Sequence, residues 1–161
     1  MTTFNEREFS ELCRHAAVHL RLDKPEAIGA GGIFAVDGVE CQLFFVPVSA
    51  SAQLVCELGD PAEHAQADLY RELFEIQSFF VGHIDAMFLR DPINETILFT
   101  VRMPLHPELQ PEAFAESITV MVKQVRAWQD TVLQGKFIDY ERELHDLTAE
   151  LGQFVHQPLG I

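Results

Sequence analysis

The sequence predicts an α+β domain in which helices pack on an antiparallel, twisted sheet. Segments with the 3.6-residue period of helices are separated by two runs of short segments with the two-residue period of strands. Because the strands within each run follow one another directly, antiparallel pairing is favoured over the crossovers of a parallel sheet. The chain of 161 residues is long enough for a buried core without disulfides or a metal. The predicted order is α-β-β-β-α-β-β-α, with an additional C-terminal helix.

The first half of the chain predicts a helix followed by three strands. Thr3 and Glu6 stand in capping-box spacing ahead of an apolar helical stripe. The loop DKPEAIGAGG follows, and GIFAVDGVECQLFFVP then alternates around an Asp-Gly pair, which predicts a hairpin. QLVCELG is the predicted third strand.

The second half predicts a helix, two strands and a closing helix. Asp60 as N-cap and Pro61 at the first helical position indicate where the second helix begins. IDAMFLRD and TILFTVRMPL are the two predicted strands, and Pro111 opens the third helix.

A further helix is predicted after Gly135 from a heptad-like seam. Its apolar residues are spaced alternately by three and four: Phe137, Tyr140, Leu144, Leu147, Leu151 and Phe154. Large apolar residues at regular spacing are rarely left in water. We therefore divide the chain into a domain of residues 1–134 and a C-terminal helical extension of residues 135–161, packed on the domain or on a dimer partner.

The predicted strand VECQLFFV loses its alternation at its end. One side is apolar throughout and is predicted to face the helices: Val39, Cys41, Leu43 and Phe45. On the other side Glu40 and Gln42 are followed by Phe44 and Val46. Cys41 is therefore interpreted as a packing residue, and we predict that another chain or the extra C-terminal helix lies over Phe44 and Val46.

The formal net charge of −14 bears on the class of partner. An acidic surface repels phosphate backbones and anionic lipids, so we expect no nucleic-acid or membrane-surface partner. The longest apolar run, Leu43 to Val48, is far shorter than the roughly 20 residues of a membrane span. The start MTTFNEREFSELC lacks the order of a secretory signal, and three separated cysteines suit a reducing compartment. A cytoplasmic location is expected.

Motifs that carry chemistry are weak in this sequence. GAGG at 29–32 lacks the Lys-Ser/Thr of a phosphate loop and precedes a strand. His15 and His19 share a helix face, but no His-Glu-x-x-His signature accompanies them, and no cysteines have zinc-knuckle spacing. We expect no metal, no cofactor and no enzymatic activity.

The order of elements, the size and the acidity together resemble the class I chaperones of bacterial type III secretion systems. The resemblance covers about Phe4 to Leu133 and lies in a pattern of segments, without a catalytic string. The segments that resemble the family's elements in order are FSELCRHAAVHLRL, FAVDGVECQLFFV, LVCELGDP, LYRELFEIQSFF, ILFTVRMPL and AFAESITVMVKQVRAWQDTV.

The resemblance implies a cytoplasmic bacterial homodimer that binds the N-terminal segment of a secreted effector in extended form and keeps it soluble and export-competent. Dimer contact is assigned to the second helix and the last strand, through Leu69, Leu73, Ile76, Phe80, Ile97, Phe99 and Val101. Effector contact is assigned to the first helix and the hairpin, through Leu20, Phe34, Val36, Phe44 and Val46.

Two other classes of function stay open. One is a small α+β ligand-binding or enzymatic domain with a sheet-floored pocket that uses Cys41, His83 or Asp85. The other is a regulatory adaptor for a folded cytoplasmic protein.

Overall fold

The computed structural model describes residues 4–61, 65–136, 145–147 and 149–150. Within these residues, three α-helices and five strands follow the predicted order. They are α1 (Glu6–Leu20), β1 (Phe34–Val36), β2 (Val39–Val46), β3 (Ser51–Gly59), α2 (Gln66–Ser78), β4 (Ala86–Arg90), β5 (Ile97–Pro104) and α3 (Pro111–Asp130). Short 3-10 turns cover Pro47–Ser49 and Val132–Gln134.

Two helix starts differ from the prediction. The capping box of α1 is built by Asn5 and Glu8, whose side chains each accept a hydrogen bond from the other's backbone N–H, at 3.1 and 2.8 Å. The predicted cap, Thr3, lies outside the described residues. Helix α2 begins at Gln66 rather than at Pro61. The start of α3 at Pro111 is as predicted.

The strands form one antiparallel sheet in the order β1-β2-β3-β5-β4. Across the sheet Cys41 lies opposite Cys56, Cys56 opposite Phe99, and Phe99 opposite Phe88. This order makes β5 an interior strand and leaves β4, the shorter partner, at an edge. One edge of the sheet is formed by the short strand β1 and, beyond the end of β1, by β2. The other edge is formed by β4.

One face of the sheet is covered by helices and forms the core. Helix α3 packs against α1 and β3, and α2 packs against β4. The helix-facing side of β2 is the predicted one, since Val39, Cys41 and Leu43 are buried and the ring of Phe45 stacks on Phe9 at 5.3 Å. At the β4 end the core is aromatic, with the Trp128 ring 5.1 Å from the centroids of both Phe88 and Phe99.

The predicted C-terminal helix falls mostly on residues 137–144 and 151–161, which lie outside the described residues. Residues 145–147 and 149–150 are helical, and Leu147 is 4% exposed. No helix in the described part of the chain is long and apolar enough to cross a membrane.

Candidate partner-binding surfaces

A glycine loop of the same chain lies against the side of β2 that carries Phe44. The Gln42 side chain donates a hydrogen bond to the carbonyl oxygen of Gly31 at 3.0 Å. A Cβ at Gly31 would lie 3.0 Å from Cε1 of Phe44, so the bare backbone rests on the ring. Phe44 nevertheless stays 40% exposed. The loop GAGG thus partly covers Phe44, a contact that the sequence pattern did not predict.

The outer edge of β2 is only half paired. Strand β1 pairs with Val39 to Cys41, and its register ends at Phe34 opposite Cys41. In the described residues no strand pairs with the outer edge of β2 from Gln42 to Val46. Apolar side chains accompany this edge, and we call them the β2 surface: Ile33 (60% exposed), Phe44, the half-buried Val46, and Val48 (fully exposed). An unpaired edge beside apolar side chains is the geometry that an added peptide strand requires.

The five residues predicted to contact an effector separate into three groups. Phe34 and Val36 are 4% and 7% exposed and belong to the protomer's own core. Leu20 is half-buried and packs against that core. Phe44 and Val46 remain accessible on the open face. Ile33 and Val48 were not predicted from the sequence, although Ile33 directly precedes β1 and Val48 lies just after β2.

The seven residues predicted to form a dimer interface all lie inside the protomer. Their exposed fractions are 4% or less. Because β5 is an interior strand, its side chains Ile97, Phe99 and Val101 pack under the helices. Their burial leaves them no free surface for a second chain unless the protomer rearranges.

Other residues of α2, of the neighbouring edge strand β4 and of the turn that follows β4 do present an apolar surface. We call them the β4 surface: Phe74 (71% exposed), Met87 (42%), Leu89 (45%) and Ile93 (86%). Phe74 and Leu89 line one shallow groove, and the backbone N–H of Phe88 donates to Oε1 of Gln77 at 2.7 Å, which ties α2 to β4. The signal was present in the sequence, since Met87, Phe88 and Leu89 break alternation as VECQLFFV does.

Carboxylates line one end of the open face. A shallow groove is lined by Val55 and Leu98 together with Glu40, Glu57 and Asp91. Burial and, next, repulsion from Glu40 raise the pKa of Glu57 above its ordinary value. Hydrogen bonds from the backbone N–H of Ile93 and the side chain of Asn94 lower the pKa of Asp91. This end of the face therefore favours basic over acidic segments, whereas the half-exposed Arg102 lies in the row of Phe44 and Gln53 at the other end.

A cavity of about 640 Å³ opens at the end of β5 and the start of α3. Its lining is mainly apolar and includes His83 and Asp85, and Arg102 forms an ion pair with Asp85 at 3.5 Å. Cys41 is 1% exposed in the core and its Sγ lies 3.6 Å from that of Cys56. The three residues of the enzyme alternative are therefore not assembled around one cavity. Among the described residues no cluster of three or more His, Cys, Asp or Glu has metal-binding geometry.

Comparison with known proteins finds similarity in structure. No protein-family model matches the chain, and no curated protein matches it. A chain in the crystal structure of the ExsC–ExsE complex is similar with a TM-score of 0.62 and 14% identity, over 79% of this chain and 95% of that chain. A chain in the HopA1–SchA chaperone–effector complex is similar with a TM-score of 0.54 and 12% identity, over 76% and 94%. The predicted α+β fold, with an antiparallel sheet and helices packed on it, is confirmed, and at these identities the likeness is one of fold alone.

Proposed function

We propose that the chain is a type III secretion chaperone that binds the N-terminal segment of a secreted effector in extended form. In this proposal it acts in the bacterial cytoplasm as a homodimer, keeps the effector soluble and export-competent, and has no enzymatic activity. The observation that carries the proposal is the β2 surface, an unpaired strand edge flanked by exposed apolar side chains, in a fold shared with a chain of a chaperone–effector complex.

The β2 surface offers both backbone and side-chain contacts to an extended segment. Unpaired N–H and C=O groups of β2 supply the backbone contacts, and alternate side chains of the added strand meet the apolar residues. Full burial of a large apolar side chain contributes about 1.5–3 kcal/mol. Ile33 and Phe44, at 60% and 40% exposure, thus offer about 0.9–1.8 and about 0.6–1.2 kcal/mol, respectively. Together with the strand edge, this is sufficient to anchor a segment at one end.

The β4 surface is the proposed dimer contact. It lies at the opposite sheet edge from the β2 surface, so pairing two copies there leaves both β2 surfaces free. An edge strand with exposed Met87 and Leu89 would aggregate unless covered, and a symmetric contact with a second copy covers both copies at once.

The C-terminal extension of residues 135–161 is proposed to pack on the domain. Leu147 is 4% exposed and belongs to the core cluster. It lines one groove with Val120 and Gln124 of α3, which supports docking against the helical side rather than over Phe44.

The absence of enzymatic activity is inferred from the position of the candidate nucleophile. Cys41 contacts Cys56 in the core, and the cavity lined by His83 and Asp85 holds no cysteine. Burial of a thiol in apolar surroundings disfavours the reactive thiolate.

The test of effector binding is co-expression with the secreted protein encoded beside the gene, followed by co-purification. We expect a stable complex that the effector's N-terminal segment alone reproduces. Phe44→Asp should abolish it, because a carboxylate would be buried against the bound segment. Phe79→Asp is the matched control, since Phe79 is also 40% exposed but lies at the end of α2. Equal binding by Phe44→Asp and wild type would remove the β2 surface from the site, and failure of any secreted protein to co-purify would contradict the function.

A further inference from the structure

Two of the three cysteines face each other across the centre of the sheet. Cys41 of β2 and Cys56 of β3 are directly opposed Cα partners, and their Sγ atoms are 3.6 Å apart. Both side chains are 1% exposed or less and lie on the helix-covered face. Neither has a part in the proposed effector or dimer contacts.

The backbone at this position suits a disulfide. Opposed residues of antiparallel strands have Cα atoms about 4.5–5.5 Å apart, inside the range of about 4.4–6.8 Å seen for disulfides. The sulfurs are 3.6 Å apart and the S–S bond of a disulfide is about 2.05 Å long, so bond formation requires the two side chains to rotate towards each other.

The third cysteine is held elsewhere. Cys13 lies on α1 and packs against the backbone of Gly29, where an added Cβ would be 2.9 Å from its Sγ. Burial raises the pKa of Cys13 to about 12 and also raises the pKa of Cys56, so the geometry and not the acidity distinguishes the possible pairs. Of the possible intrachain bonds, the folded chain therefore favours one.

We propose that Cys41 and Cys56 form an intrachain disulfide when the chain folds in the presence of a small disulfide oxidant such as glutathione disulfide. One cysteine thiolate attacks glutathione disulfide and releases one glutathione thiolate. The second cysteine, as its thiolate, then attacks the mixed disulfide and releases the second glutathione. The two protein thiols lose two protons and two electrons, and one glutathione disulfide becomes two glutathione thiols.

The bond would staple β2, the strand that carries Phe44 and Val46, to its neighbour β3. The hydrogen bond with Cys41 and burial raise the pKa of Cys56 in the folded chain, so exchange is slow once the sheet has closed. The bond therefore forms during folding or transient opening and is afterwards shielded from reductants. Closing a loop of about 15 residues should raise the melting temperature by about 6–12 °C.

The experiment is refolding of the full chain from denaturant in a buffer of oxidised and reduced glutathione, because access is then not limiting. Acid quenching, alkylation and peptide mapping identify the bonds. We expect a linked Cys41–Cys56 peptide, Cys13 alkylated, and a higher melting temperature than that of the reduced protein. Cys13→Ala should behave as wild type, and Cys41→Ala should leave Cys56 alkylated.

Two results would overturn the proposal. One is natively folded protein with all three thiols free in a buffer rich in glutathione disulfide. The other is a product mixture in which disulfides to Cys13, or mixed disulfides with glutathione, are as abundant as the Cys41–Cys56 disulfide. Either can be read from wild-type protein alone, so the outcome stands even where an alanine variant fails to fold. The disulfide result is also independent of effector binding, because effector binding can be tested separately with the reduced protein.

Discussion

Gly31→Ala tests whether the glycine loop covers Phe44. The substitution adds a Cβ 3.0 Å from Cε1 of Phe44 at a residue whose φ is +74°. The left-handed backbone costs an alanine about 1–2 kcal/mol. The ring must also give way by a few tenths of an ångström, and turning it partly off its rotamer adds about 0.5–1.5 kcal/mol. We therefore expect a lower melting temperature and a Phe44 ring that is more exposed than in the wild type.

Gly38→Ala separates the two contributions. Gly38 has a φ of +78° and an added Cβ there meets nothing within 4 Å, so the variant carries the backbone cost alone. Gly31→Ala should melt about 2–4 °C below Gly38→Ala, the shift that corresponds to an extra ~1 kcal/mol in a domain of this size. Melting followed by far-UV circular dichroism measures both variants.

A double-mutant cycle with Phe44→Ala completes the test. Removing the ring removes the atom that the new Cβ approaches, so Gly31→Ala and Gly38→Ala should then cost the same. The coupling between Gly31 and Phe44 is expected to be about 1 kcal/mol. If the two glycine variants have the same melting temperature while Phe44 is intact, or if the coupling energy is zero, the loop does not rest on the Phe44 ring.

Two further predictions concern the β4 surface and the carboxylates of the open face. Phe74→Asp and Leu89→Asp should each lower the solution mass measured by light scattering from that of a dimer to that of a monomer. Val18→Asp is the control, because Val18 is 73% exposed and Phe74 is 71% exposed, and it should leave the mass unchanged. A dimer that persists in both β4 variants would place the contact elsewhere. Because the folded-state pKa of Glu57 is raised, its stabilising contribution is present below its ordinary pKa and is lost as pH rises through the raised value. Glu57→Gln should therefore be more stable than wild type at pH 7, with the difference vanishing at acidic pH in urea titrations; an unchanged or lower stability at pH 7 would contradict the assignment.

The positions of the two surfaces bear on the proposed chaperone function. The β2 surface and the β4 surface lie at opposite edges of one sheet, and the carboxylates of Glu40, Glu57 and Asp91 lie at one end of its open face. A segment anchored at the β2 edge can continue over this acidic end without competing with a second copy at β4. An effector segment that alternates basic and apolar residues would match both features.

The order of elements and the two sides of β2 could be predicted from the sequence alone. Helical and strand periods are local properties, and so the buried side of Val39, Cys41 and Leu43 and the exposure of Phe44 follow from spacing. The hairpin at Asp37-Gly38 follows from turn chemistry, since both residues adopt a positive φ. The same local signals placed Pro111 at the start of α3.

Only the tertiary structure decided which apolar residues stay free. Strand order joins residues far apart in the chain, and the insertion of β5 between β3 and β4 buried Ile97, Phe99 and Val101 while leaving Met87 and Leu89 at an edge. Periodicity identifies an apolar face but does not say whether the protomer or another chain covers it. The cover that GAGG provides for Phe44 and the meeting of Cys41 with Cys56 likewise depend on register and loop path, which are properties of the closed sheet.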